Sequence, residues 1–402
     1  MRIKPVPATL VFGLGTLISH GFGLSLVPAM LPRIEAEFQS GYGVLGLAVA
    51  TGLLAYALGS ALAPRVMSVV PTRELLIGTF AIAGVGFVLT ALAPSPLYIS
   101  VAVVLLGISA PISWTATMHI ARETVAPESL SIVSAGASGG AAVGVIINGV
   151  LVSTSSTIHT WRTSFWIAAV LTIAVIAVTL VVFRSSIAKP ASSGVSLGVV
   201  FRQVLADTSG RMIVATSAVS GVAVFTLGTF LTATSIDEMG VSDIATALLL
   251  WIAGSVGVGS ALAFGKLGDR RSPIFAITAA IGAYATTLVV LVLGWSYPAL
   301  VVAVVGYGVL NGPVWGLMGA AANRRFSAEL TVGAISLGLV AASLVGALGN
   351  SLTGVWIERT GSMRLPVLVL ATLTTTLTVY LVRQSRMSNM PNAAANHSQD
   401  GT

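Results

Sequence analysis

The pentapeptide Gly59-Ser60-Ala61-Leu62-Ala63 recurs without change as Gly259-Ser260-Ala261-Leu262-Ala263 in a chain of 402 residues. Five common residues can match by chance in so apolar a chain, but other matches share this spacing of about 200 residues. A spacing that stays nearly constant over half the chain predicts one ancestral unit that is present twice. The other pairs are Gly107 and Gly308, Trp114 and Trp315, Gly144 and Gly346, and Asn148 and Asn350.

The composition predicts that the chain lies in a lipid bilayer. It is 55% hydrophobic and only 8% charged, whereas a soluble domain carries about 25% charged residues. The absence of cysteine excludes disulfides and thiolate sites. The sequence shows no Walker A pattern, no buried carboxylate pair and no cluster of metal ligands, so we predict neither an enzyme nor a bound cofactor or metal.

Apolar runs long enough to cross a bilayer, about 20 residues each, number twelve. We call them spans 1 to 12 in chain order. Only the connection 184–211 is long, so we predict an all-α integral membrane protein with two pseudo-symmetric six-helix bundles, residues 1–183 and 212–383. The tail 384–402 is polar and is predicted to be disordered. The spans are 8–31, 42–63, 75–93, 97–120, 130–152, 163–183, 212–235, 244–264, 273–294, 298–322, 331–357 and 365–382.

The placement of basic residues predicts the orientation of these spans. With twelve spans, 16 of the 20 Lys and Arg residues fall on the side that also holds both termini. Because cytoplasmic loops are enriched in Lys and Arg, we expect both termini in the cytoplasm and the protein in the plasma or inner membrane. The net charge of +7 is therefore interpreted as a topology signal, and no nucleic-acid partner is expected.

The loop after span 8 reads Gly265-Lys-Leu-Gly268-Asp269-Arg270-Arg271-Ser272. Together with two six-helix halves and a long central connection, this loop resembles the major facilitator superfamily (MFS) of transporters, whose pattern is Gly-x-x-x-Asp-Arg-x-Gly. We expect the glycines to permit a tight turn and Asp269 to pair with Arg270, Arg271 or a helix end. The resemblance implies that this gate loop, residues 265–272, closes the cytoplasmic side in the outward-facing state.

The first half has lost this pattern. Arg65, Val69 and Val70 stand where the second half has Gly265, Asp269 and Arg270. Valine cannot accept a hydrogen bond, so the cytoplasmic gate is predicted to be asymmetric, with Asp269 and Arg270 as its working residues.

Span 5 is rich in glycine, and Trp161-Arg162-Thr-Ser-Phe165 opens span 6. These features resemble the twelve-helix drug and sugar efflux branch of the superfamily, although Val145 and Ile146 occupy the region of its proline and Val103 replaces its arginine. We expect the glycines to let spans 5 and 8 approach closely, and the two paired asparagines to hold helices together. The predicted helix-packing residues are Gly136, Gly140, Gly144, Asn148, Gly346 and Asn350.

Polar side chains inside a membrane are costly and mark the candidate substrate path. His20 is the one mid-membrane group whose ordinary pKa lies near neutral pH, so it is the candidate protonation site, with a merely hydrogen-bonded histidine as the alternative. The absence of buried acidic or basic residues favours a neutral substrate. The candidate cavity residues are His20, Tyr56, Ser113, Trp114, Tyr307, Asn311 and Trp315.

We therefore predict a monomeric secondary transporter that works by alternating access and exports a neutral or hydrophobic small molecule in exchange for protons. The first alternative is uptake of a small metabolite or an organic acid, which Arg33 and Arg122 would favour if they faced the cavity. The second is a non-transporting receptor or scaffold built on a transporter fold, which loss of the first gate loop would permit.

Overall fold

The computed structural model describes residues 5–124, 130–155, 160–183 and 197–388, which are almost entirely helical and contain no β-strand. In a bilayer the backbone must satisfy its own hydrogen bonds, which favours helices. The first half contains α1 (Pro5–Thr16), a π-helical turn (Leu17–Phe22), α2 (Leu26–Ala29), α3 (Leu31–Phe38), α4 (Gly41–Val69), α5 (Thr72–Ala91), α6 (Pro96–Thr124), α7 (Leu130–Thr154) and α8 (Trp161–Val182).

The second half repeats this order after a short connecting helix. Its helix α10 begins earlier than predicted, inside the segment that we assigned to the central loop, and α16 continues past the predicted start of the disordered tail. Residues 184–196 and 389–402 lie outside the described residues. The elements are α9 (Leu197–Ala206), α10 (Thr208–Ala233), a π-helical turn (Thr234–Glu238), α11 (Asp243–Arg270), α12 (Pro273–Gly294), α13 (Tyr297–Asn311), α14 (Val314–Arg325), α15 (Ala328–Thr360) and α16 (Arg364–Ser388).

The protein crosses the membrane many times. Eleven helices of the described residues are long and apolar enough to span a bilayer, and Leu10–Phe22 is a shorter apolar helix. This shorter helix belongs to span 1, which completes the predicted set of twelve.

Span 1 is not the single helix that we predicted. The α-helix ends at Thr16, a π-helical turn follows, and residues 23–25 form a turn before α2 and α3. A polar backbone break inside a membrane needs internal partners, and Ser25 Oγ supplies one by donating to the carbonyl oxygen of His20 at 3.3 Å. Span 10, also predicted to be continuous, breaks at Gly312 and Pro313, because proline has no N–H for the helical ladder.

The two halves meet along two pairs of helices. Helix α4 of the first half packs along α15 of the second, and α7 packs along α11. Close backbone approach makes these contacts possible, since a side chain at Gly46 would come within 3.2 Å of the Gly354 Cα. The four helices frame a space at the centre of the molecule.

Candidate functional site

A cavity of about 1250 Å³, part of it open to solvent, lies between the halves. Spans 1, 2, 4, 5, 7, 8, 10 and 11 all contribute to its wall. Six of the seven predicted residues line it, whereas Ser113 is buried and donates to the Ala110 carbonyl oxygen at 2.8 Å. No Asp, Glu, Lys or Arg lines the cavity within the described residues. The six are His20, Tyr56, Trp114, Tyr307, Asn311 and Trp315.

In the first half, the π-helical turn of span 1 presents His20 to the cavity. Its Nδ1 lies 2.9 Å from Ser19 Oγ, and its Nε2 lies 3.4 Å from the Tyr56 hydroxyl. The imidazole also meets the Trp114 ring edge-on, with centroids 6.0 Å apart. Because both neighbours are hydroxyls, which can donate or accept, the imidazole can adopt either neutral tautomer.

In the second half, Trp315 stacks on Phe225, with centroids 6.1 Å apart and an angle of 19° between the rings. The Tyr307 hydroxyl lies against Gly228 of span 7, where a side chain would approach it to 2.9 Å. Phe225 lines the cavity but was not predicted, since an apolar residue in an apolar helix gives no sequence signal.

Span 1 is held on span 5. The side-chain amide of Asn148 donates to the Gly21 carbonyl oxygen at 3.0 Å. A side chain at Gly21 would lie 2.8 Å from the Gly144 Cα, and one at Gly140 would overlap the backbone of Gly13. These contacts fix the part of span 1 that carries His20.

This geometry corrects the predicted role of the span 5 glycines. Gly140 and Gly144 face span 1, not span 8. The close approach of spans 5 and 8 occurs instead at Gly149, against Trp251, and at Gly254, against Ile146. Sequence spacing alone does not define which helix a glycine faces. The surroundings of Gly136 lie outside the described residues.

The second half repeats the asparagine contact. Asn350 of span 11 donates to Thr229 Oγ1 of span 7 at 2.9 Å, just as Asn148 of span 5 bonds to span 1. Gly346 lies between Phe225 of span 7 and Leu53 of span 2. The two asparagines therefore join equivalent helices in the two halves.

The halves are bonded together at the end opposite the termini. Arg33, after the break in span 1, forms an ion pair with Asp243 at the start of span 8. Tyr42 of span 2 donates its hydroxyl hydrogen to Asp237. Two backbone groups complete this set: the Gly43 N–H donates to Glu358 Oε2 at 3.0 Å, and the Pro28 carbonyl accepts from Thr232 at 2.9 Å.

At the end that carries the termini, no hydrogen bond or ion pair joins two described residues of different halves. The cavity wall includes Thr16 of span 1, Ser138 of span 5 and Leu339 of span 11, which lie nearer to that end than the other lining residues of these spans. The described contacts between the halves thus close the cavity at the end opposite the termini.

The gate loop differs from its predicted form. Helix α11 continues through Gly265 and Gly268 to Arg270, so these glycines form no turn, and neither has a positive φ. Gly268 instead makes room for Leu317 of span 10. Asp269 is 79% exposed and lies 3.8 Å from Arg324, not against Arg270 or Arg271, which are also exposed.

The Trp-Arg pair that opens span 6 binds the end of span 1. Trp161 Nε1 donates to Glu37 Oε2, and Arg162 donates to Glu37 Oε1, each at 2.7 Å. Glu238 has the equivalent place in the second half, where it accepts from Trp295 Nε1 at 3.0 Å and from Ser362 Oγ at 2.6 Å. Sequence reasoning missed both carboxylates, because they follow their spans as ordinary loop residues.

Two six-helix halves around a central cavity that is closed at one end define a membrane transporter. The chain belongs to the Major Facilitator Superfamily, whose family model matches residues 13–350.

Solved structures of similar fold include a mutant of the nucleoside transporter NupG, with a TM-score of 0.74 and 12% sequence identity, covering 94% of this chain and 99% of that one. NupG itself gives a TM-score of 0.71 at 10% identity, covering 96% and 99%. No curated protein sequence matches the chain. At these identities the likeness concerns the fold.

Proposed function

We propose that this MFS transporter carries an uncharged small organic molecule across the plasma or inner membrane by alternating access, with both termini in the cytoplasm. The observation that carries the proposal is the central cavity, whose wall holds aromatic rings and amide or hydroxyl groups but no charge in the described part of the chain. A charged substrate would lose its hydration there without gaining a counter-ion.

We further propose export driven by protons, with His20 as the protonation site. The position of His20 supports this role, because His20 lines the cavity next to Tyr56 and Trp114. Its protonation state would then affect the groups that a substrate contacts. In this scheme the bonded end faces outward, and the described conformation receives substrate from the cytoplasm.

Uptake is the alternative direction. Uptake of an organic acid is less favoured, because Arg33 does not line the cavity, where it could bind a carboxylate. Arg33 instead pairs with Asp243 at the closed end. The side chain of Arg122 lies outside the described residues. A nucleoside is a suitable first compound for the uptake assay, since it is uncharged and is carried by the structurally similar NupG.

The test is a flux assay in proteoliposomes, with a panel of uncharged aromatic compounds and with or without an imposed pH gradient. We expect saturable flux that empty liposomes and a Trp114→Ala, Trp315→Ala double variant do not show. If export is coupled to protons, the substrate must move in the direction opposite to the protons, which flow down the imposed gradient. If flux of every compound equalled that of empty liposomes, the transport proposal would be wrong.

A further inference from the structure

We propose that the cavity recognises an uncharged planar heteroaromatic molecule whose edge carries neighbouring hydrogen-bond donor and acceptor groups, and that the side-chain amide of Asn311 binds this edge. The inference rests on the proposed function, because it names the class of substrate for the same cavity.

The ring pairs supply the faces for a planar ligand. Trp114 and His20 stand on the first-half wall, and Trp315 and Phe225 stand on the second-half wall. Aromatic rings prefer offset-stacked or edge-to-face contact with another ring and bury a large area while they do so. A flat ring system is therefore the ligand shape that the rings of either wall favour.

The edge is recognised by Asn311, which lines the cavity and is only partly buried. Its side-chain amide has no hydrogen-bond partner within the described residues, in contrast to the amides of Asn148 and Asn350. An amide presents one acceptor and two donors in one plane. It can therefore form a pair of hydrogen bonds with an edge that carries N–H beside C=O, as amide side chains do with bases.

The local structure of span 10 places this amide beside the rings. Tyr307 and Asn311 are four residues apart in α13, so this helix brings them to one face. Trp315 follows the break, in α14, and lines the same cavity. Asn311 is the last residue of α13, and the break at Gly312 follows it. One segment thus offers a hydroxyl, an amide and a ring to the same ligand.

The two halves are not equivalent at this position. Trp114 and Trp315 match in the repeat, but the residue that corresponds to Asn311 in the first half is Ala110, which is fully buried. The two tryptophans are therefore matched between the halves, while the amide is present on one side. A ligand that uses the amide is held in one orientation, with its polar edge toward the second half.

The experiment uses three probes with the same fused ring system: 2-quinolone, N-methyl-2-quinolone, whose donor is blocked by a methyl group, and the cation N-methylquinolinium. Binding to the purified full chain is measured by equilibrium dialysis against micelle blanks. We expect 2-quinolone to bind about tenfold more tightly than its N-methyl form, since blocking the donor leaves an amide acceptor unpaired. Asn311→Leu should bring both affinities to the same weak level.

Asn350→Leu is the matched control, since it removes a buried asparagine outside the cavity wall and should keep the tenfold preference. Equal binding of the two quinolones, a preference that survives in Asn311→Leu, tighter binding of the cation, or no binding of any probe would each overturn the inference. Transport of another compound without quinolone binding would support the proposed function and overturn this inference. Selective quinolone binding without transport of any compound would support this inference and overturn the proposed function.

Discussion

Asn148 in span 5 donates its side-chain amide to the carbonyl oxygen of Gly21 in span 1, at 3.0 Å. The bond lies in the π-helical turn, one residue from His20. It links the packing of two helices to the position of the candidate protonation site. The equivalent bond in the second half, from Asn350 to Thr229, has no histidine beside it.

This difference gives a matched pair of variants. Asn148→Leu and Asn350→Leu should each lower stability by about 0.6–1.7 kcal/mol, the usual range for a hydrogen bond between membrane helices. Only Asn148→Leu should also reduce transport at equal protein amount, because it frees the segment that carries His20. Thermal unfolding and flux are the measurements. Equal loss of flux in both variants would contradict a special role for the first contact.

His20 is tested by the pH dependence of flux. If it is the protonation site, His20→Gln should still transport but lose the response to the proton gradient, since glutamine keeps hydrogen bonding and cannot titrate. The groups that face His20 are Ser19, Tyr56 and Trp114, and no charged side chain lines the cavity in the described residues. His119→Ala is the control, because His119 lies outside the cavity wall. A His20 variant with a full gradient response would refute the assignment.

The ion pair between Arg33 and Asp243 should stabilise the closed end opposite the termini, which faces outward in the proposed orientation. The chain has no cysteine, so one cysteine at Leu24, which lines the cavity, reports access from outside. Arg33→Ala should increase labelling by an impermeant maleimide several-fold, since a bond between the halves is lost. The exchanged pair Arg33→Asp, Asp243→Arg should restore protection. Unchanged labelling in Arg33→Ala would argue against this gate.

Asp269 is predicted to act in the cycle and not in folding. Its side chain is 79% exposed, and its partner Arg324 lies 3.8 Å away, so Asp269→Asn should leave the melting temperature within about 1 °C. We expect flux to fall markedly, while Val69→Asn at the equivalent first-half position has little effect. The opposite pattern would mean that the gate asymmetry runs the other way.

Asp207 caps the N-terminus of α10, the helix that contains most of span 7. It accepts from the N–H groups of Ser209 and Gly210 at 2.8 and 3.2 Å. The hydrogen bond from Arg325 to Asp207 lowers the pKa of this carboxyl group. Asp207→Ala should cost about 1 kcal/mol through loss of the helix cap, and Asp207→Asn should cost less.

The pH dependence of this contribution has a definite sign. Because the folded pKa lies below the ordinary value, the stabilisation is complete at pH values above about 4 and is lost as the pH falls further. Melting temperatures of the wild type and Asp207→Asn, compared between pH 7 and pH 3, should converge at the low end. A constant difference across this range would exclude the ionised carboxylate as its source.

Much of the architecture could be predicted, because a bilayer leaves few choices. Apolar runs of sufficient length must become helices, and the repeated pentapeptide set the register of the halves. That register identified Trp114 and Trp315, and likewise Asn148 and Asn350, as equivalent positions in the two halves. The break in span 1 could not be predicted, because the apolar pattern continues through it and its contacts with Gly144 and Asn148 involve another helix.

The candidate site shows the same division. Polar residues within apolar spans stand out in a sequence, so His20, Tyr56 and Asn311 were found. Phe225 was missed because only its stacking on Trp315 distinguishes it from other apolar residues. Ser113 was predicted with the cavity residues, but its hydroxyl is turned to the Ala110 carbonyl of its own helix.

The sequence by itself determined the solvent, the number of spans and the repeat, since these follow from composition and spacing along the chain. The pentapeptide at Gly59 and Gly259 was enough to align the halves. Only the tertiary structure decided which helix each glycine faces, where spans 1 and 10 break, and that Asp269 meets Arg324. Those features depend on contacts between side chains that are far apart in sequence, and such contacts cannot be derived from local sequence patterns.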